Sequence, residues 1–229
     1  MPTLFTYCLR YDDGAAPNPY WGVCTLAVCK PVIRRIAKIG DWIVGTGAVN
    51  TRIGDISGKV VCAMRVTDKK SMAEYDSFTS ASLPGKIPDW QHKDPRQRLG
   101  DSIYDFSSGK PIQRTGVHSV GNMARDLGGR YALLSEHFFY FGDRAVELPP
   151  DLQPIVKQGQ GHRSAKNECY FDRFVEWIHS LGYAPNTLVG KPQIDLFADN
   201  ASLARHAACR CEEAEEDERI GEDGESCAG

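Results

Sequence analysis

Short apolar runs separated by turn residues predict a chain rich in strands. The runs combine aromatic, β-branched and small apolar residues, and glycine, proline or aspartate stands near most of their ends. The run at 41–48 contains Gly45 and Gly47, which indicate a bulge or the close approach of another backbone or a ligand. The predicted strands cover 4–10, 23–29, 41–48, 59–67, 131–135 and 137–142.

Helical spacing marks three other segments. Pro31 suits the first turn of a helix, and the apolar Ile33 and Ile36 alternate with the basic Arg34 and Arg35 after it. The clearest helix lies later in the chain, where five apolar side chains fall on one stripe. The predicted helices cover 32–38, 68–78 and 167–181.

The order of these elements predicts the fold class. Strands and helices do not alternate strictly, which disfavours a doubly wound parallel sheet. We predict an α+β fold, with a small mixed or antiparallel β-barrel and flanking helices. A single domain is expected over 1–204, with a long irregular stretch at 80–115 of the kind that is usually functional or mobile.

Charge is distributed unevenly along the chain. The net charge is −3, yet the segment 205–229 carries three basic and nine acidic residues. The remaining 24 basic and 21 acidic residues leave a mildly positive body, which is compatible with nucleic acid without requiring it. We predict that 205–229 is a disordered acidic tail, which acts as a solvating segment or as a polyanion that competes for a basic groove.

Composition favours a soluble, cytoplasmic protein without a membrane partner. No run approaches the roughly 18 apolar residues that a membrane helix needs, and the first residues lack the features of a signal peptide. The eight cysteines form no Cys-x-x-Cys pair and no zinc-finger spacing. Four of them lie in or at apolar runs, and we interpret them as small buried hydrophobic residues: Cys8, Cys24, Cys29 and Cys62.

Several common catalytic signatures do not occur in the sequence. There is no Gly-x-x-x-x-Gly-Lys phosphate loop, no Gly-x-Gly-x-x-Gly fingerprint, no His-Glu-x-x-His and no Gly-x-Ser-x-Gly. Hydride transfer, zinc proteolysis and serine hydrolysis by those routes are therefore disfavoured. We expect no cofactor and no metal site.

One dense block carries the most specific signal. The runs APNPYWG, CTLAVCKP, IRR and GDWIVGTGA follow one another between residues 16 and 48, and Phe-Tyr-Phe-Gly stands at 139–142. In this order, after a Tyr-Asp loop, they resemble the nucleotide-modification-associated domain family, second type, of bacteria and phages. The resemblance covers roughly residues 3–182 and leaves out the acidic tail.

The strand, helix and Gly-Asp strand order also resembles, more distantly, the PUA-like superfamily with its ASCH, EVE and YTH modules. Those modules bind RNA or modified bases in a pocket between barrel and helix. The resemblance therefore implies a domain that recognises a modified base or nucleotide. Its partner would be modified nucleic acid or a nucleotide, with a base-modification enzyme as a further partner.

A base pocket needs aromatic surfaces for stacking and a few polar groups for the base edge and the phosphate. Each candidate also has a structural alternative: Trp42 equally suits a core position, and Arg34 and Arg35 suit a solvated helix face. Lys30 is the most specific candidate, because it lies where a strand meets a helix N-terminus. The predicted ligand-binding residues are Asn18, Trp21, Thr25, Lys30, Arg34, Trp42, Thr46, Trp90 and Tyr104.

Catalysis on the same scaffold is the alternative function. Some ASCH modules resemble amidohydrolases that act on modified nucleosides with a lysine, a threonine and an acid, and Lys30, Thr25 and Asp41 supply these types. His92 and His118 have no positioned partner that the sequence reveals, so they are weak indications of acid–base chemistry. The catalytic residues are left unassigned.

Overall fold

The computed structural model describes residues 1–195 and 199–207. The strands are β1 (Leu4–Cys8), β2 (Cys24–Leu26), β3 (Trp42–Thr46), β4 (Lys59–Arg65), β5 (Asp68–Ser71), β6 (Tyr104–Asp105), β7 (Ile112–Gln113), β8 (Tyr131–Ser135), β9 (Phe138–Tyr140), β10 (Val146–Glu147) and β11 (Thr187–Leu188). The α-helices are α1 (Pro31–Ile36), α2 (Met72–Ser82), α3 (Met123–Gly128) and α4 (Phe171–Ser180), and residues 200–207 are also helical. Short 3-10 segments cover Pro84–Lys86, Pro95–Leu99, Val120–Asn122, Gly142–Arg144, Pro150–Ile155 and Ala165–Tyr170.

Each predicted strand contains an observed strand, and the helices predicted at 32–38 and 167–181 are confirmed by α1 and α4. The helix predicted at 68–78 begins later than expected. Residues 68–71 form β5, which pairs with β8, and the helix starts only after Ser71. The Ser71 hydroxyl accepts from the Glu74 N–H while the Glu74 carboxylate accepts from the Ser71 N–H, so a capping box fixes the start.

The larger sheet runs β1-β3-β4-β9-β11, with β10 also paired to β4. The β1–β3 and β9–β11 pairs are parallel, whereas β4 is antiparallel to both its long neighbours. Alternate residues of β3 enter two different apolar clusters, Ile43 one and Trp42 and Val44 the other. Both faces of this sheet are therefore buried, which explains the continuous apolar runs of its central strands.

A smaller antiparallel sheet runs β2-β8-β5, and β6 pairs with β7. The α+β prediction is thus confirmed. Within the described residues, none of the sheets closes on itself, so the predicted PUA-like barrel is not confirmed. Among the described strands, β1, β11 and the short β10 lie at edges of the larger sheet, and β2 and β5 lie at the edges of the smaller.

The glycine that follows β3 accommodates protein backbone. A β-bulge lies between Gly45 and Thr46, and a Cβ added to Gly47 would lie 2.3 Å from the carbonyl oxygen of Ile56. Any larger residue at 47 would therefore collide with the main chain of a neighbouring segment. The predicted close approach is real, and it is made by residues 56 and 57 of this chain.

The C-terminal part is described up to residue 207. Leu203 and Ala207 are buried, and His206 Nε2 lies 2.7 Å from the Asp13 carboxylate, so the helical residues 200–207 pack against the domain. The remainder of the predicted acidic tail, 208–229, lies outside the described residues. Among those described, no helix is both long and apolar enough to cross a membrane.

Candidate functional site

The junction between β2 and α1 holds the backbone in an unusual conformation. Cys29 and Lys30, the two residues before α1, both have left-handed backbone angles, with φ values of 59° and 41°. Neither is glycine, so each costs free energy of about 1–3 kcal/mol that the surrounding structure must offset. Such strained residues concentrate at functional sites, where they aim a side chain, and here they set the direction of the Cys29 thiol.

Cys29, His118 and Asp126 form a continuous chain of contacts. The Cys29 Sγ lies 3.3 Å from His118 Nε2, and the opposite ring nitrogen, Nδ1, lies 2.5 Å from Asp126 Oδ2. The other oxygen of Asp126 accepts the backbone N–H of Cys29 at 3.0 Å. One carboxylate therefore orients both the histidine ring and the backbone that carries the thiol. A nucleophile, a base and an acid that orients the base occur in this order in thiol and serine hydrolases.

The electrostatics of the three groups are mutually dependent. Burial opposes a charge on His118, but the neighbouring Cys29 and Asp126 outweigh it and raise the pKa of His118 to about 9. Burial also opposes a charge on Asp126, yet His118 and then Arg34 outweigh it, so the pKa of Asp126 is lowered. At neutral pH the imidazole is thus protonated and the carboxylate ionised, and a cation faces the thiol.

Arg34 fixes the main chain around this site. Its guanidinium is fully buried and donates to the carbonyl oxygens of Cys29 at 2.7 Å, Tyr131 at 2.9 Å and Asp126 at 2.5 Å. The guanidinium packs so closely on Gly129 that a Cβ there would lie 2.4 Å from the Arg34 Cζ. Arg34 therefore holds α1, α3 and β8 together around the thiol.

Tyr104 supports the carboxylate from the other side. Its hydroxyl donates to Asp126 Oδ2 at 2.8 Å, and the side chain is 1% exposed. Burial, followed by the Asp126 charge, raises the pKa of Tyr104, so the hydroxyl stays protonated as a donor. The buried Asp126 carboxylate thereby receives hydrogen bonds on both oxygens, as a buried charge requires.

Comparison with known proteins identifies the family. The family model described as nucleotide modification associated domain 2 (Nmad2) matches residues 1–199. The chain belongs to this family. Neither the curated proteins nor the solved structures contain a match.

Two of the predicted ligand-binding residues of this Nmad2 chain lie in a second buried polar cluster. The Thr25 hydroxyl donates to Asp101 at 2.6 Å, and Asn18 accepts from the Lys86 ammonium at 2.7 Å. All four side chains are completely buried. Burial lowers the pKa of Lys86 to about 8, although Asp101 opposes this effect. The contacts hold the 16–22 loop against residues 86–101.

The remaining predicted residues are dispersed over the fold. Trp42 is 2% exposed and packs parallel to Phe139 with ring centroids 6.4 Å apart, so it occupies the alternative core position. The Thr46 hydroxyl is buried and donates to the carbonyl of Tyr7 at 3.2 Å. Trp21 and Trp90 are partly buried against a third, smaller apolar cluster.

Only part of the predicted set thus converges. Lys30 directly follows Cys29, while Arg34 and Tyr104 contact the Cys29 backbone and Asp126. The described pocket at the start of α1 includes Lys30 in its lining, but not Asn18, Trp42 or Thr46. Ligand binding by those three residues stays a prediction.

Asp41, the acid of the alternative catalytic set, stabilises local structure. Its carboxylate oxygens accept the backbone N–H groups of Thr3 and Lys38, each at 2.7 Å. These bonds tie the start of β1 to the turn before β3. In the described ranges 1–195 and 199–207, no three His, Cys, Asp or Glu side chains are grouped in a way that could hold a metal ion.

The interpretation of the cysteines needs one correction. Cys24 and Cys62 are buried among apolar side chains, as predicted, but Cys8 and Cys29 are only partly buried, and Cys29 contacts His118. The sequence does not reveal the contact between His118 and Asp126, because eight residues separate them and only Asp126 lies in a helix. The signal that could have identified the site is a cysteine at a strand-to-helix junction, followed by lysine and proline.

Proposed function

We propose that this protein is a thiol-dependent enzyme that cleaves or transfers an acyl- or amide-type group on a modified nucleotide or base. The observation that carries the proposal is the alignment of Cys29 Sγ, His118 and the Asp126 carboxylate, with contacts of 3.3 Å and 2.5 Å. The reaction class agrees with the amidohydrolase alternative raised by the sequence. The residues differ, because Thr25 and Asp41 are occupied in contacts that stabilise the fold.

The first step would use the pair as thiolate and imidazolium. The Cys29 thiolate attacks the carbonyl carbon of the substrate, and a carbon–sulfur bond forms as the bond to the leaving nitrogen or oxygen breaks. His118 donates its Nε2 proton to that leaving group. Asp126 keeps the ring oriented and stabilises its positive charge in the resting pair.

The second step would return the enzyme to its starting state. Water attacks the thioester carbon while the neutral His118 removes a proton from it, and Cys29 leaves as a thiolate. The net reaction consumes one water and releases the acid and the amine or alcohol. A second nucleophile in place of water would make the same site a transferase.

The nucleotide part of the proposal is supported by the family description, which associates the domain with nucleotide modification. A modified nucleotide or nucleic acid is the proposed partner, with a base-modification enzyme supplying or receiving the product. Because Cys29 must stay reduced to act, we further propose that the protein works in a reducing compartment such as the cytoplasm.

The test combines turnover with detection of the covalent intermediate. The full chain is incubated with a panel of nucleotides that carry N-acyl or ester groups, and products are followed by chromatography and mass spectrometry. We expect release of the acyl group and a mass increase on the peptide that contains Cys29. The Cys29→Ser variant should show neither, whereas Cys169→Ser, which removes an exposed thiol, should behave as the wild type.

Recognition without chemistry is the competing function. It predicts that the panel is bound but recovered unchanged, and that Cys29→Ser binds as tightly as the wild type. That result would overturn the enzymatic proposal and favour a module that reads a modified base or nucleotide.

A further inference from the structure

A cationic pocket opens at the start of α1, and its described lining includes Lys30, the residue after Cys29, but not Cys29 itself. It has a volume of about 280 Å³ and lies between α1, α3 and the loop that contains Gly161 and His162. Its charged lining consists of Lys30, Arg35 and Arg125, and no acidic residue contributes to the described lining. Lys30 follows Cys29 in the chain and Arg125 precedes Asp126, so two of the three cations are sequence neighbours of the proposed catalytic residues.

The fold brings the three cations together from separate elements. Lys30 directly precedes α1 and Arg35 lies within it, whereas Arg125 lies on α3, some ninety residues later in the chain. Arg35 Nη1 donates to the carbonyl of Gly128 at 3.3 Å, which links the exposed face of α1 to the end of α3. A guanidinium carries five donors, so this single bond leaves most of the Arg35 fork available for a ligand.

The basic character extends beyond the pocket itself. Burial raises the pKa of the nearby Cys8 thiol, while Lys30, Lys157 and Arg10 all act in the opposite direction. These three cations therefore lie within electrostatic range of one thiol. The Asp126 carboxylate does not cancel this field, because its charge is compensated by His118 and Arg34.

We propose that this pocket holds the phosphate group of the substrate, so that the enzyme acts on a nucleotide and not on a free nucleoside or base. Lysine and arginine side chains are the usual phosphate ligands in proteins, arginine through paired donors. The pocket volume lies near the lower end of small-ligand sites, which suits a phosphate and little more than its sugar. This inference rests on the proposed function of Cys29, whose thiol would face the remainder of the nucleotide.

Arg34, one of the predicted ligand-binding residues, does not belong to this pocket. Its guanidinium is completely buried and bonded to three carbonyl oxygens. Arg125, which no sequence pattern singled out, takes its place in the pocket lining.

The experiment measures binding by the full chain with isothermal titration. The probes are inorganic phosphate, each of the four deoxynucleoside 5′-monophosphates with its nucleoside, and a single-stranded DNA of eight nucleotides. We expect at least one monophosphate to bind roughly tenfold tighter than its nucleoside, with inorganic phosphate as a competitor. Tighter binding of the oligonucleotide would assign the phosphate to nucleic acid, and tighter binding of the monophosphate would assign it to a free nucleotide; both support the pocket.

Substitutions then locate the binding. Arg35→Gln, Arg125→Gln and Lys30→Gln should each weaken the tightest probe about fivefold, because one charge near the protein surface is lost. Arg144→Gln, which removes an exposed arginine outside the pocket, should change affinity less than twofold. Circular dichroism confirms that each variant is folded.

The result that overturns the inference is equal affinity for nucleosides and monophosphates, or unchanged affinity in all three pocket variants. If Cys29 still reacts as a thiolate in that case, the proposed catalytic function survives and only the phosphate assignment is wrong. If phosphate binds through the pocket but Cys29 reacts as an ordinary thiol, the catalytic proposal fails and the anion site stands.

Discussion

Replacing His118 with glutamine should turn Cys29 from a reactive thiolate into an ordinary thiol. Burial opposes a charge on His118, but Cys29 and Asp126 outweigh it and raise the pKa of His118 to about 9, against an ordinary value of about 6.5, a net preference for the charged ring of about 3 kcal/mol. Glutamine can still donate to Asp126 but carries no charge. The substitution therefore removes the cation that favours the thiolate and leaves the size of the side chain nearly unchanged.

The expected change in rate follows from the thiolate fraction. An ordinary thiol with a pKa of about 8.5 is roughly 3% ionised at pH 7, so a fully formed ion pair raises that fraction about 30-fold. A thiolate formed by such a large fall in pKa is a weaker nucleophile, with a Brønsted coefficient of about 0.4–0.5, which cancels most of this gain and leaves a net advantage of about 2- to 3-fold. Alkylation of Cys29 in His118→Gln should be slower than in the wild type by that factor at pH 7.

The assay is pseudo-first-order alkylation by iodoacetamide between pH 5.5 and 9.5, with the modified site assigned by peptide mass spectrometry. The wild-type rate should be nearly independent of pH around neutrality, whereas the variant rate should rise steeply towards about pH 8.5. His92→Gln, which removes the other histidine of the 80–118 region, should keep the wild-type profile, since His92 contacts Asp94 instead.

The proposed ion pair is refuted if the wild-type rate already shows the steep rise near pH 8.5 and His118→Gln leaves that profile unchanged. That profile would mean that Cys29 does not transfer its proton to His118 in solution. The proposed nucleophile would then lose its support, and Cys29 would return to the role of a packing residue.

Three predictions concern the stability of the scaffold, and urea unfolding checks each. Arg34→Met should lower the free energy of unfolding by about 3 kcal/mol, because three buried carbonyls lose their donor. Arg35 is exposed, so an equal loss of stability in Arg35→Met would contradict the specific role of Arg34. Gly129→Ala should cost about 2 kcal/mol through collision with that guanidinium, and the adjacent Gly128→Ala, with open space, should be neutral or slightly stabilising. Burial raises the pKa of Asp12 to about 7, above its unfolded value, so the folded state binds the extra proton and stability falls by about 3 kcal/mol from pH 4 to 7. Asp12→Asn should abolish that part of the pH dependence, and an unchanged pH profile would refute it.

Much of the fold follows from local patterns in the chain. Apolar runs gave the positions of the principal strands, because a strand buried on both faces must be apolar along its whole length. The helix start at Pro31 and the amphipathic stripe of α4 were likewise readable from spacing alone. The pairing of β5 with β8 could not be predicted in this way. The sequence of β5, DKKS, has no strand pattern, and the strand forms because it pairs with β8.

Most of the candidate site, by contrast, could not be predicted from local patterns. Lys30, Arg34 and Tyr104 were expected at a ligand site, but Arg34 proved to be a buried clamp and Tyr104 a support for Asp126. These three residues were informative candidates because long polar side chains need hydrogen-bond partners when they are buried. Whether the partner is a ligand or a carbonyl of the same chain depends on residues far away in sequence.

By itself, the sequence determined the α+β class, most of the strands, and the family to which residues 1–199 belong. Those properties depend on local periodicity and on runs of adjacent residues. Only the tertiary structure decided that a half-buried cysteine faces a charged histidine 89 positions later, beside an aspartate 97 positions away. Such convergence arises from the packing of α1 against α3, and no spacing along the chain encodes it.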